Sequence, residues 1–180
     1  MKVLLLSFLL LTSLAGSAQI DLPPEFLLRL DSLDMRFNAP LDSDYREKTF
    51  RDENRWLEDH YTMTSRREKL ELRFHIVPEH EGDRYYGLPH LAATTLAMNL
   101  GSNDEDAVTA VHSFGTEEMA LYNADWARMY TFRPKRSFSD KEQAQMIALY
   151  REGRGLAYTI LLFDDAPDTL DGRQLSLRFR

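Results

Sequence analysis

Residues 143–163 read QAQMIALYREGRGLAYTILLF, and this stretch decides the fold of the chain. The pattern predicts a β-hairpin whose second arm runs over residues 156–163. The REGRG segment between the arms supplies two glycines, which take the positive φ angles that a short hairpin loop needs. The second arm is apolar on both faces, whereas a strand with one face in water alternates apolar and polar residues. We therefore expect this arm to lie at the centre of a sheet that protein covers on both sides.

Two further hairpins are predicted on either side of the centre of the chain. The first joins residues 56–64 to residues 70–77 across a polar turn, and the second joins residues 118–122 to residues 126–132. In the arm at 70–77 the side chains alternate between a core face and an opposite face. Leu70, Leu72, Phe74 and Ile76 are expected to face the core, with Glu71, Arg73 and His75 on the other side.

Helical spacing is confined to short segments. Residues 20–30 predict a helix that begins near Pro23 and Pro24. Residues 89–100 predict another, with Pro89 at its first position, Gly101 as its stop, and an apolar face made by Leu91, Leu96 and Met98. A third helix is expected after Asn103 or Asp104, with Val108 and Val111 pointing inward.

The remaining segments complete an α+β pattern. Residues 33–37 alternate as a strand that ends before Pro40, residues 41–54 form a charged surface connection, and residues 175–179 alternate as a closing strand. Strands and helices do not alternate regularly as they do in parallel α/β folds. The predicted fold is α+β, an antiparallel β-sheet with helices packed on its faces.

The first 18 residues have the pattern of a cleaved secretory signal peptide. Lys2 precedes an apolar run at residues 3–14, and small residues at 15–18 place cleavage after Ala18. The run is shorter than the roughly 20 apolar residues that span a bilayer. We expect residues 19–180 to form a single domain in the periplasm or outside the cell, without a membrane span.

Composition excludes several classes of function. The formal net charge is -7, and it becomes -8 without the leader, whose only charge is Lys2. Such a surface disfavours nucleic acid, since that binding depends on Lys and Arg. The chain contains no cysteine. A thiol nucleophile, a thiolate metal site and a cysteine-linked lipid anchor are therefore excluded.

Several segments together resemble the PsbP-like α/β/α sandwich superfamily. They are an early strand before Pro40, LELRFHIV, the helix after it, ADWARMYTFRP, the QMIALYREGRGLAYTILLF hairpin and a terminal LSLRF. The chain departs from that pattern in the charged segment at 41–54 and in the short segment before LSLRF. The resemblance implies a binding or assembly module more than an enzyme, and it transfers no site residues.

Histidines are the first candidates for chemistry, because imidazole is both a metal ligand and a base near neutral pH. His80 stands beside Glu79, Glu81 and Asp83, and His90 follows. None of the five histidines, His60, His75, His80, His90 and His112, has the spacing of a helical HExxH pair. No metal site and no cofactor are predicted, and a small hydrolase or metal-dependent enzyme using residues 80–90 is the alternative function.

Other motifs for catalysis or ion binding are weak. The acidic segment at 164–172 lacks the alternate spacing of an EF-hand loop, and Pro167 interrupts it. Ser113 follows His112, but sequence neighbours rarely face each other and no G-x-S-x-G elbow is present. Gly153 and Gly155 lie in a hairpin, so they make no phosphate-binding loop. No catalytic residues are predicted.

Aromatic residues near arginine suggest a partner surface, since both are enriched where proteins bind each other. The basic run of Arg133, Lys135 and Arg136 is interpreted as a solvated turn. The alternative for the rings is that they pack beneath the helices. The sequence therefore predicts a non-catalytic exported protein that binds a protein partner or ligand in the cell envelope, through Tyr85, Tyr86, Trp126, Arg128 and Tyr130.

Overall fold

The structure is a computed structural model that describes residues 20–49, 57 and 59–180. The predicted signal peptide, Trp56 and residues 50–54 of the charged segment lie outside the described residues. Within the described part, no helix has the length and apolar character needed to cross a membrane.

Helices and strands follow one another in an α+β order, as predicted. The helices are α1 (Pro24–Ser32), α2 (Pro89–Leu100), α3 (Thr116–Tyr122) and α4 (Leu170–Gln174). The strands are β1 (Met35–Phe37), β2 (Arg46–Glu47), β3 (Tyr61–Ser65), β4 (Leu70–Pro78), β5 (Ala110–Ser113), β6 (Trp126–Phe132), β7 (Gln143–Arg151), β8 (Gly155–Phe163) and β9 (Leu177–Phe179).

Seven strands form one antiparallel sheet in the order β2-β3-β4-β8-β7-β6-β5. β8 is the middle strand, and all nine of its residues are buried. The central prediction is confirmed, because β8 pairs on one side with β4 and on the other with β7. The loop glycines also have the expected positive φ, 68° at Gly153 and 133° at Gly155. A Cβ on Gly155 would collide with the backbone carbonyl of Val77.

The sheet has two differently covered faces. On the α1 face, α1, α3, α4 and the β1–β9 pair cover side chains that include Tyr61, Phe74 and Leu161. On the α2 face, α2 packs through Ala93, Ala97 and Leu100 on β6, β7 and β8. Burial on both faces explains why β8 can be apolar throughout.

The first and last strands form a separate two-stranded sheet. β1 pairs antiparallel with β9, with Met35 opposite Phe179. Leu33, Met35, Leu177 and Phe179 are all buried in the core of the α1 face. The predicted strands are confirmed, and the short segment before LSLRF contains the five-residue helix α4.

The helix predicted after Asn103 is wrong. Residues 104–106 form a turn, and the chain then continues into the edge strand β5. Val108 and Val111 are exposed instead of pointing inward. Two apolar residues three apart fit one helical turn equally well, so the spacing alone could not exclude a helix.

The hairpin predicted over residues 118–122 is also wrong, because these residues belong to α3. The Glu118 carboxylate accepts a hydrogen bond from the Gly115 backbone N–H at 2.8 Å, which stabilises the start of the helix. Asn123 then ends the helix in the left-handed conformation, with φ 51°. β6 itself is confirmed, and it pairs with β5 on one side and β7 on the other.

Candidate functional site

The outer side of α2 exposes two large apolar residues among uncharged polar ones, which are His90, Thr94, Thr95 and Asn99. Leu91 is 45% exposed and Met98 is 60% exposed, so the apolar face predicted from Leu91, Leu96 and Met98 lies mostly on the exposed side of the helix. Small alanines contact the sheet instead, which lets the helix approach the large side chains of β6. Because α2 has no Lys, Arg, Asp or Glu and carries large apolar residues on its exposed side as well, its pattern did not show clearly which side faces the core.

The loop before α2 adds aromatic residues to this side of the helix. The hydroxyl of Tyr85 lies 3.3 Å from Thr95 Oγ1, which is on the outer half of α2. Tyr86 and Leu88 are exposed. We name these exposed apolar residues, together with the partly exposed Tyr85, the outer patch. It consists of Tyr85, Tyr86, Leu88, Leu91 and Met98.

Glu79 fixes the loop that carries the outer patch. Its carboxylate accepts hydrogen bonds from the backbone N–H of Gly87 at 3.1 Å and of Gly153 at 3.0 Å. It also accepts one from the Tyr150 hydroxyl at 2.7 Å. The loop is therefore tied to the turn of the central hairpin, which holds Tyr85 and Tyr86 beside α2.

The three predicted binding residues on β6 have different environments. Tyr130 is 1% exposed, and its hydroxyl lies 3.0 Å from Thr94 Oγ1. It packs beneath α2, so its predicted direct contact with a partner is corrected. Trp126 is half-buried against the core of the α2 face. The guanidinium carbon of Arg128 lies 5.5 Å from the centroid of the Trp126 ring. The Arg128 Nε–H donates a hydrogen bond to Ser113 Oγ at 3.1 Å.

Acidic residues flank the outer patch at both ends of α2. Residues 79–108 contain six acidic residues, Glu79, Glu81, Asp83, Asp104, Glu105 and Asp106, and one basic residue, Arg84. Arg133 pairs with Asp106 at 2.6 Å and with Asp104 at 3.3 Å. This pairing lowers the pKa of the Asp106 carboxyl. The Lys135 ammonium also lies at the C-terminal end of α2, where it donates to the Asn99 carbonyl oxygen at 2.8 Å. The three acidic residues of that end therefore stand beside two basic ones, Arg133 and Lys135.

The structure does not gather the histidines of the described residues into a metal site. His80 and His90 are exposed, and their side chains make no hydrogen bond or ion pair within the described part of the chain. His112 lies 3.2 Å from Glu118 on the surface. Among the described residues, no three His, Asp or Glu side chains are grouped so that they could hold a metal ion.

The opposite half of the α2 face carries a buried ionic cluster on β4. Arg73 Nε donates to Glu71 at 2.7 Å, and Lys48 pairs with the same carboxylate. Arg73 Nη1 also lies 3.4 Å from Asp59 Oδ2, and its guanidinium lies 4.4 Å from the Phe138 ring. The sequence placed Glu71 and Arg73 on this face but did not predict their burial. The burial of Glu71 and Arg73 could have been predicted, because β8 is apolar on both faces and the strand beside it must then be covered as well.

Asp59 is the incompletely satisfied member of this cluster. Its side chain is 8% exposed, and Oδ1 has no hydrogen-bond partner among the described residues. Burial raises the pKa of the Asp59 carboxyl to about 6, against the opposing effect of Arg73. A buried carboxylate oxygen without a donor costs free energy of folding.

Asp59 lines an open cleft of about 450 Å³ between α1 and the strand ends of β3 and β4. His60 lies in the same wall and stacks on His75 at 4.8 Å. Its Nδ1 accepts from the Ile76 backbone N–H at 2.9 Å, so the neutral ring carries its proton on Nε2. Burial, helped by His75 and Arg29, lowers the pKa of His60 to about 4. No pattern in the sequence indicates Asp59 as a site residue.

Comparison with known proteins gives no relative from which a function can be transferred. No family model matches the chain, and neither a curated protein nor a solved structure matches it. The resemblance to the PsbP-like superfamily therefore stays a prediction. Functional inference rests on the geometry of the described residues.

Proposed function

We propose that this chain is an exported, non-catalytic protein that binds a protein partner through the outer patch. The observation that carries the proposal is the exposure of Leu91 and Met98 on the outer side of α2, next to Tyr86 and Leu88. The other exposed residues of this side, His90, Thr94, Thr95 and Asn99, are polar, but none of them is Lys, Arg, Asp or Glu. A partner that covers Leu91 and Met98 removes this apolar surface from water.

The charges near the patch define the partner as a segment with apolar side chains flanked by Lys or Arg. Acidic residues stand at both ends of α2, and the helix has no charge of its own. A second copy of the chain would place like charges together, and an anionic membrane would be repelled in the same way. Among these three occupants, a basic and apolar protein segment fits the electrostatics best.

Export is part of the proposal and is supported by the signal-peptide pattern of residues 1–18. The expected location is the periplasm or the medium. Fractionation with mass spectrometry of the N-terminus tests this directly. A mature form beginning at Gln19 in an exported fraction is expected, whereas a cytoplasmic form that retains the leader would contradict it.

The binding test uses a photoreactive amino acid at position 91 in the native envelope. We expect it to crosslink to a protein peptide that contains apolar residues beside Lys or Arg, and the yield should fall as salt rises. The double variant Leu91→Asp/Met98→Asp should lose the interaction. Leu121→Asp is the matched control, because Leu121 is also exposed but lies on α3. Crosslinks only to lipid or to a second copy would contradict the proposal.

The enzyme alternative gains no specific support. It would use residues 80–90, where His80 and His90 are exposed and make no described side-chain contact. A cluster of titratable groups converging on a substrate is what such a function needs. The exposed residues of the outer patch therefore support a binding function over an enzymatic one.

A further inference from the structure

We propose that the free edge of β5 binds an extended segment of another protein, which joins the seven-stranded sheet as an additional antiparallel strand. The segment has alternate apolar residues and a Lys or Arg near each end. This surface goes beyond the proposed protein-binding function, because it includes none of the residues of the outer patch. The inference rests on three features of β5: outward backbone groups, the lack of residues that block pairing, and the charges at its ends.

The first feature is a row of outward backbone groups. β5 is the last strand of the sheet, and among the described residues it pairs only with β6. The Phe114 N–H donates to the Ala127 carbonyl oxygen at 3.3 Å, and hydrogen-bonded pairs alternate along an antiparallel ladder from there. His112 therefore bonds to β6, whereas the backbone groups of Val111 and Ser113 point to the free edge. All four residues of β5 are exposed, so an added strand reaches this edge.

The second feature is that the sequence of β5 does not block pairing. Edge strands of soluble proteins usually carry charged residues or proline, or are very short. β2, at the opposite edge of the sheet, consists of two charged residues, Arg46 and Glu47. Residues 108–114 read VTAVHSF and contain no Lys, Arg, Asp, Glu or Pro. Val108 and Val111 are exposed, so this edge also offers apolar side chains to an added strand.

The third feature is the charge at the two ends of β5. Glu105 precedes the strand and Glu117 follows it. Both are exposed, and neither makes an ion pair within the described part of the chain. The nearby cations have other contacts, since Arg133 pairs with Asp106 and Arg128 donates to a serine hydroxyl of β5. A Lys or Arg near each end of an added strand therefore meets a carboxylate.

These charges also disfavour a second copy of the chain as the occupant. The outward groups lie on odd-numbered residues of β5, so two antiparallel copies would pair Val111 with Val111 or with Ser113. Either register places the acidic residues 104–106 of one copy beside Glu117 and Glu118 of the other. Such like charges repel each other. A strand from another protein with basic ends avoids this repulsion.

The test uses capped synthetic peptides on the purified protein, read by NMR at the backbone amides of Val111 and Ser113. The peptide KVTVTVK has alternate apolar residues and basic ends, and EVTVTVE reverses its charges. We expect KVTVTVK to shift both amides saturably, to slow their hydrogen exchange, and to bind at least about tenfold more tightly than EVTVTVE at low salt. Equal binding of the two peptides, no saturable shift, or shifts confined to α2 would overturn the inference. Protection of these amides that rises with protein concentration alone would assign the edge to a second copy and overturn it as well.

N-methylated forms of KVTVTVK test whether the added strand pairs through its backbone. N-methylation of the three valines removes the donors of one edge of the peptide, and N-methylation of the two threonines removes donors of the other edge. The valine form should bind at least about tenfold more weakly than the threonine form, because a peptide valine that pairs with Val111 has its side chain on the same face. Equal affinities of the two forms would overturn the inference, since binding would then depend on side chains alone.

Variants of the protein locate the binding at β5. Val111→Pro removes an outward N–H and should weaken KVTVTVK binding at least about tenfold. Glu105→Gln/Glu117→Gln changes two exposed side chains and should weaken it about three- to tenfold. Leu91→Ser/Met98→Ser is the control and should leave it unchanged, which separates this edge from the outer patch. Unchanged binding in Glu105→Gln/Glu117→Gln would overturn the inference, including the case in which Val111→Pro is poorly folded.

Discussion

The two faces of the seven-stranded sheet are covered in different ways. On the α1 face, aromatic rings fill the core. The ring centroids of Phe26 and Tyr61 are 4.8 Å apart, and those of Phe37 and Phe74 are 5.2 Å apart. On the α2 face, one half is closed by an alanine-rich helix side and the other contains Glu71 and Arg73. The comparison indicates that the α1 face mainly stabilises the fold, because it is closed by apolar packing. The α2 face carries the features that mark binding sites, which are unsatisfied polar groups and exposed apolar surface.

The largest effect is expected from removing a ring on the α1 face. Phe26 is fully buried and contacts three other rings. Phe26→Ala should lower the free energy of unfolding by about 3–5 kcal/mol. Chemical denaturation measures this, with Leu28→Ala as the control, because Leu28 is on the same helix but 69% exposed. Similar losses of unfolding free energy in both variants would contradict the orientation of α1, in which Phe26 is buried and Leu28 is exposed.

A large effect is also expected from the ionic cluster of the α2 face. Arg73→Met removes the cation between Glu71 and Asp59. Asp59 then loses the cation that it contacts among the described residues, and Glu71 keeps Lys48, so the variant should lose about 3 kcal/mol of unfolding free energy. Denaturation at neutral pH tests this, and Arg178→Met, at an exposed position of β9, is the matched control. A loss no greater than that of the control would show that the cluster is solvated and not buried.

The pH dependence of stability should separate Asp59 from His60. With its pKa raised from 3.8 to about 6, Asp59 holds more protons in the folded chain, so its contribution lowers stability as pH rises over that range. His60, with its pKa lowered from 6.5 to about 4, contributes in the opposite direction between those values. The two effects oppose each other in the wild-type chain.

Asp59→Asn should therefore make the free energy of unfolding rise more steeply with pH between about 4 and 6. Thermal or chemical denaturation in a pH series measures the slope. Asp140→Asn, at an exposed position, serves as control. An unchanged slope in Asp59→Asn would contradict the burial of this carboxyl.

The smallest effect on stability is expected at the outer patch. Leu91→Asp/Met98→Asp replaces two exposed side chains and should change the free energy of unfolding by about 0.5 kcal/mol or less. The same measurement on Leu100→Asp, whose side chain is fully buried in the same helix, should show a loss of several kcal/mol. If the double variant were as unstable as Leu100→Asp, the outer side of α2 would be part of the core.

The strand-rich centre of this fold could be predicted from sequence because its signal is local. A run that is apolar on both faces, next to two glycines, led to β8 and its place in the sheet. The sequence did not predict which side of α2 packs on the sheet, since Leu91 and Ala93 are both apolar. Only the neighbouring strands determine which of the two is buried. α3 was missed because its stabilising contact, from Gly115 to Glu118, outweighs a weak strand pattern.

The candidate sites depend on contacts between distant parts of the chain. Tyr85 was predicted from its residue type, and its contact with Thr95 places it beside α2. Asp59 gave no sequence signal of its own, because its contact with Arg73 depends on the pairing of β3 with β4.

The central claim is that β8 is shielded on both faces and that the outer side of α2 remains free for a partner. Native-state hydrogen exchange tests both parts at once. The backbone amides of Gly155–Phe163 should exchange only through global unfolding, with those of α2 exchanging earlier through local opening. Exchange of the β8 amides as fast as those of α2 would contradict the account.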